Sequence, residues 1–220
     1  MINRLEIKER SKVMLSQNYW KLVGIVLLGM ILMAGISLFN SKVTIDHNSP
    51  MGYKIETSKF MSILTIAYTI FVGNVIAVGL CKICLAAYRG ENFEVGDLFA
   101  FFNADYLRVV GAMALVTLFT TIGYLLLVVP GIIASIGLSR VGFLLADGDP
   151  RYGMEIISKS WEIMKGHKNE FFVFILSFIG WALLTAITAG IVGVFYANPY
   201  AYVSFAGYHD ELMKLAPVEG

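Results

Sequence analysis

Residues 171–208 carry no charged side chain, a run of 38 positions. One helix needs roughly 20 predominantly apolar residues to cross a hydrocarbon core of about 30 Å. The run therefore holds two crossings, and the 190–199 segment, with Gly190 and Pro199, supplies the break between them. Lipid offers no partner to backbone N–H and C=O groups, so such segments cross as helices whose amides bond within the segment. The sequence predicts a polytopic all-α membrane protein, a single integral domain over residues 1–220.

Composition supports this. Hydrophobic residues make up 57% and charged residues 15%, against about 25% charged in a soluble domain. A net charge of +1 lacks the basic excess of a nucleic-acid binder, so no nucleic-acid partner is expected. The first 18 residues are polar and no small-x-small site follows the first apolar run, so no cleavable signal is expected.

Six transmembrane helices in three hairpins emerge: 19–39, 60–88, 106–129, 132–146, 170–189 and 199–212. The fourth and sixth are short, and Pro130 and Pro199 each suit the first position of a returning helix, where the missing N–H has no intrahelical partner anyway. With the N-terminus inside, 13 Lys and Arg residues fall on the cytoplasmic side and three, Lys42, Lys54 and Lys59, outside. The positive-inside rule then puts both termini in the cytoplasm and makes 40–59 the main extracellular loop. An amphipathic or aromatic-polar segment precedes each outward helix: 1–18, 95–102 and 148–168. In the last, Met154, Ile157, Trp161 and Met164 recur at helical steps, as in an interfacial helix.

Arg140 is the foremost candidate for a ligand or partner site. It lies ten residues past Pro130, about 15 Å along a helix, and a buried arginine costs at least about 2.5 kcal/mol unless it finds a partner or water. Either it runs back to the inner headgroups, or its partners are backbone carbonyls, Asn74, hydroxyls such as Thr120, Thr121 and Ser139, a lipid phosphate or another protein. Asn74, a polar group within the second span, is the second candidate, with bonding to another helix as its structural alternative. Lys82 reads as a residue reaching the inner interface. Cys81 and Cys84 form a C-x-x-C without a second pair and read as packing residues. The histidines are scattered and His167 reads as a helix cap, so no metal or cofactor is expected. Asp147-Gly148-Asp149 reads as a turn before a helix, and no nucleophile motif or phosphate loop appears.

Several motifs occur together: Arg89-Gly90-Glu91 with Asp97-Leu98-Phe99, Pro130-Gly131-Ile132-Ile133 with Leu145-Ala146-Asp147, Met164-Lys165-Gly166-His167-Lys168, Phe178-Ile179-Gly180-Trp181, Thr188-Ala189-Gly190-Ile191 and Pro199-Tyr200. As a set the chain resembles, from about Gly79 to its C-terminus, the multi-pass membrane proteins of Gram-positive bacteria catalogued as domain of unknown function 975. That resemblance implies a bacterial cell membrane location and supplies no catalytic residue. The family is also distantly similar to membrane domains that accompany glycerophosphodiesterases, which implies lipid or envelope work. The expected function is non-enzymatic recognition of lipid, an amphiphilic peptide or a membrane protein partner, in an accessory or immunity role. The alternative is a small-solute transporter or channel.

Overall fold

The computed structural model describes residues 2–35, 41–45, 53–103 and 105–215. His47, and Asn48-Ser49-Pro50, which lacks the Ser or Thr two residues on that a glycosylation signal needs, lie outside them. Apart from one β-hairpin, the regular structure is helical, and the elements run in the order α1 (Arg4–Gln17), α2 (Tyr19–Ala34), β1 (Ser41–Ile45), β2 (Tyr53–Thr57), α3 (Lys59–Tyr68), α4 (Asn74–Arg89), α5 (Tyr106–Leu126), α6 (Val128–Leu138), α7 (Val141–Ala146), α8 (Met154–Ile163), α9 (Lys168–Leu176), α10 (Ile179–Ile187) and α11 (Asn198–Leu215). Single π-helical stretches, Thr69–Gly73 and Gly193–Ala197, lead into α4 and α11, and a 3-10 turn, Val95–Phe99, follows α4.

Four helical segments are long and apolar enough to cross a membrane: Lys59–Arg89, Tyr106–Leu126, Val128–Ala146 and Lys168–Ile187. A fifth candidate is the pair α1 and α2, bent by 98° at Asn18. The bend matches the residue types, since α1 carries Arg4, Lys8, Arg10 and Lys12 whereas α2 has one charge, Lys21. α11 does not reach that apolarity; its last turns hold His209, Asp210, Glu211 and Lys214.

Two boundaries depart from expectation, both at prolines. Helix α6 begins at Val128, so Pro130 is its third residue, not its opener. The first four amides of a helix lack intrahelical partners, so proline is tolerated there as well, and the fourth apolar segment reaches 19 residues. Pro199 lies inside a helix that runs continuously over residues 193–215. An amide at 199 would have bonded the Phe195 carbonyl four residues back, and proline has none. The Tyr19 hydroxyl donates to that carbonyl instead, at 2.8 Å, and the π-helical stretch just before relieves the ring clash. The turn falls earlier than expected, at Ala189 and Gly190, both with positive φ.

The strands pair antiparallel, with Val43 opposite Ile55 and Ser41 opposite Thr57. They fall within the 40–59 loop, where β-branched residues are frequent.

The packed core lies at one end. Helix α4 contacts α1, α2, α7, α11 and the 3-10 turn. Leu80, Ile83, Cys84 and Tyr88 meet Val141, Leu144, Val203, Ala206 and Leu212 in one buried cluster. The far ends of α5 and α10 carry broad apolar exposure, including Leu125 and Ile187, as expected of surface meant for lipid rather than water.

Candidate functional site

Arg140 occupies the break between α6 and α7 and is 2% exposed. Its Nη1 donates to the Phe205 carbonyl at 3.1 Å and its Nε to Ser139 Oγ at 3.2 Å. The guanidinium lies 4.3 Å from the Phe171 ring centroid and 5.0 Å from that of Phe143, and ring faces attract a desolvated cation. The side chain therefore does not run out to the headgroups, which corrects that expectation. It stands six positions before Ala146, about 9 Å at 1.5 Å per residue, and three positions from the middle of the Val128–Ala146 segment. Carbonyl and hydroxyl partners were among those anticipated. The aromatic box was not.

Asn74 is not brought to Arg140. It opens α4 immediately after the π-helical stretch, and its Nδ2 is buried without a hydrogen-bond partner. The expected helix-to-helix bond is absent among the described residues. On α11, His209 is fully buried and stacks on Phe143 with centroids 5.4 Å apart. Both its ring nitrogens, and the Tyr208 hydroxyl, lack a hydrogen-bond partner.

The carboxylates belong to a different arginine. Arg89 donates to both oxygens of Asp147, at 2.6 and 3.1 Å, and through Nε to Asp210 at 2.8 Å. Lys214 lies 3.1 Å from the second Asp210 oxygen. One guanidinium thus ties the ends of α4, α7 and α11, and the forked geometry makes this a strong form of ion pair. Spacing gave no hint of it. The available signals were an arginine ending one apolar run, an aspartate ending another, and an aspartate opening the charged end of the last helix. Gly148 turns with φ +82°, and Asp149 accepts from the Arg151 amide, as a turn reading requires.

Lys82 pairs with Asp97 of the 95–102 segment at 2.9 Å, and its side chain stays partly exposed. The Glu94 amide first, then the Lys82 ammonium, hold the Asp97 carboxyl below its usual range. A depressed carboxylate stabilises the fold above its unfolded pKa, and that contribution is lost as pH falls through the lower folded value. The melting temperature of Asp97→Asn should therefore lie below that of wild type at neutral pH. The gap should close as pH falls below about 4, the unfolded aspartate range. A gap that persists unchanged in acid, in a thermal scan in detergent, would refute this role. His167 precedes α9, but its Nδ1 meets Glu170 Oε2 at 3.1 Å instead of capping backbone. Cys81 and Cys84 are both free.

An apolar groove of about 550 Å³ lies between α5, α6 and α8. Phe119, Ala134, Leu138 and Ile157 line it, with Met154, Trp161, Ser158, Glu162 and Lys165 along α8 and its end. Helix α8 packs through Ile156, Ile157, Ser160 and Ile163. Met154 and Trp161, two of the apolar residues at helical steps, are 53% and 42% exposed on the groove. The Trp161 ring rests where a side chain at Gly137 would stand, 2.4 Å from an ideal Cβ, and Ser160 Oγ donates to the Gly137 carbonyl at 2.8 Å.

These features define a helical protein of membrane type, apolar over most of its length, charged at one end, with a lateral groove beside an amphipathic helix. A family model described as "Protein of unknown function (DUF975)" matches residues 107–216. The chain belongs to that family. The match holds Arg140, Asp147, Asp210 and the groove; Arg89 and Asp97 precede it. No curated protein and no solved structure matches the chain.

Proposed function

We propose that this is a non-enzymatic integral protein of the bacterial plasma membrane that recognises a membrane amphiphile, and that the groove beside α8 is where it does so. The observation that carries this reading is the groove itself: apolar along α5 and α6, open sideways, and edged by Trp161 and Lys165. An apolar concavity with a few polar groups at its margin is the usual form of a small-molecule site. In the proposed topology α2, α3 with α4, α5, α6 with α7, α9 with α10, and α11 form six crossings in three hairpins. The basic end, with both termini and α8, faces the cytoplasm. Apolar exposure at the far ends and the lysine and arginine distribution support it.

Arg140 enters as a fixed cation that ties the break after α6 to the Phe205 carbonyl. Its enclosure among rings favours recognition over conduction, since a conducting path would present it to water.

The test is native mass spectrometry of protein released in mild detergent. Wild type is expected to retain a lipid-mass adduct, and Ala134→Phe, which fills the groove, to lower its occupancy roughly tenfold, a loss of about 1.4 kcal/mol. A bare wild-type monomer would sink the reading and turn attention to solute flux in liposomes. Arg140→Ala should fold, and loss of the adduct there would add Arg140 to the site.

A further inference from the structure

The geometry points to an anionic phospholipid as the occupant of the groove, its acyl chain along α5 and α6 and its phosphate between Lys165 and Lys168. This rests on the groove reading above and adds the chemistry of the headgroup. Three observations carry it. First, a smaller depression of about 190 Å³, lined by Lys165, Gly166, Lys168 and Asn169, adjoins the apolar groove at Lys165. Lys165 lines both, so the apolar groove and a depression edged by two lysines share a cation. That is the outline of an amphiphile.

Second, that depression lies at the start of α9, of which Lys168 and Asn169 are the first two residues and Glu170, bonded to the Ile2 amide and His167, is the third. First-turn amides have no partner within their helix and favour an anion. Third, Lys165 and Lys168 stand together at the depression, whereas Arg151 pairs with Asp149 at 2.6 Å. Among the described residues Lys165 has no carboxylate within ion-pair distance. Lys168 Nζ stands 3.2 Å from the Trp161 ring centroid. Tryptophan favours headgroup level, which puts both ammonium groups at phosphate depth. Glu162, three residues before Lys165, also lines the groove and offsets part of that charge, so the anion site needs Lys168 as well.

The experiment offers the purified full chain equal amounts of phosphatidylglycerol and phosphatidylcholine and reads the adducts by native mass spectrometry. Each lysine near a phosphate contributes on the scale that polybasic segments show at anionic membranes, so wild type should prefer phosphatidylglycerol roughly tenfold. Lys165→Gln with Lys168→Gln should bring the two lipids to parity without removing the adduct, and Glu162→Gln should raise the preference. Lys165→Gln alone serves if the double variant does not fold, with an intermediate ratio. Equal retention of both lipids by wild type overturns the headgroup assignment and leaves the groove reading standing. A preference that survives the lysine changes overturns the assignment too. No lipid on any variant removes both readings.

Discussion

Arg89→Ala is expected to lower the melting temperature of the detergent-solubilised protein by roughly 5–10 °C. The side chain is 28% exposed, and its partners Asp147 and Asp210 are 28% and 12% exposed. Removing one member of a fully buried pair costs about 3–5 kcal/mol, because the other charge is left without compensation. Partial exposure brings this to about 2–3 kcal/mol, as water takes over some of the pairing. The loss is large for a single charge because three helix ends share one guanidinium. Asp147→Asn and Asp210→Asn should each cost less, since Arg89 keeps its other partner. Arg89→Lys should fall between, as an ammonium holds the charge but cannot reproduce the fork. A thermal scan of these four variants decides the matter. If Arg89→Ala melts within about 2 °C of wild type, the clasp adds nothing that water does not supply.

How far the sequence foretold this molecule follows from what each residue's role depends on. The segments around 59–89 and 106–126 were legible because crossing a bilayer is a property of length and apolarity alone. Pro130 and Pro199 misplaced two helix starts, because a proline reports where a bond is missing and not which other group supplies it. For Pro199 that group is Tyr19, far earlier in the chain. Arg140 stood out as a cation in an apolar run, but its acceptor is a carbonyl 65 residues further on. Its ring neighbours Phe143 and Phe171 look like any other apolar residues in the sequence. The clasp was the plainest omission. Arg89 and Asp147 were both visible as motif residues, yet nothing local says that two helix ends lie side by side. On α8 the helical period is legible in the sequence, but not which of its apolar residues face the core and which the groove. Only the packing of α5 and α6 decides that division.

The second large effect is expected at Gly79, where the backbone of the 3-10 turn crosses α4. An ideal Cβ there stands 2.3 Å from the Leu98 carbonyl oxygen and 2.7 Å from its carbon. These are backbone atoms, so no rotamer change relieves the contact. Leu98 is itself fully buried, and its neighbour Asp97 is held by Lys82. A side chain at 79 must therefore lift the whole turn off the helix. Gly79→Ala should cost about 1–3 kcal/mol, the usual range for overpacking, or roughly 3–10 °C in melting temperature. Gly79→Val should cost more and broaden the size-exclusion profile. Gly96→Ala is the control: it lies in the same turn with nothing within 4 Å of an added Cβ, and should melt like wild type. The displacement also makes a coupled prediction. Once the turn lifts, Lys82 and Asp97 separate, so Asp97→Asn should cost little further in the Gly79→Ala background. A double-mutant cycle that instead finds the two changes additive would show that the turn stays in place and that the strain is absorbed within α4.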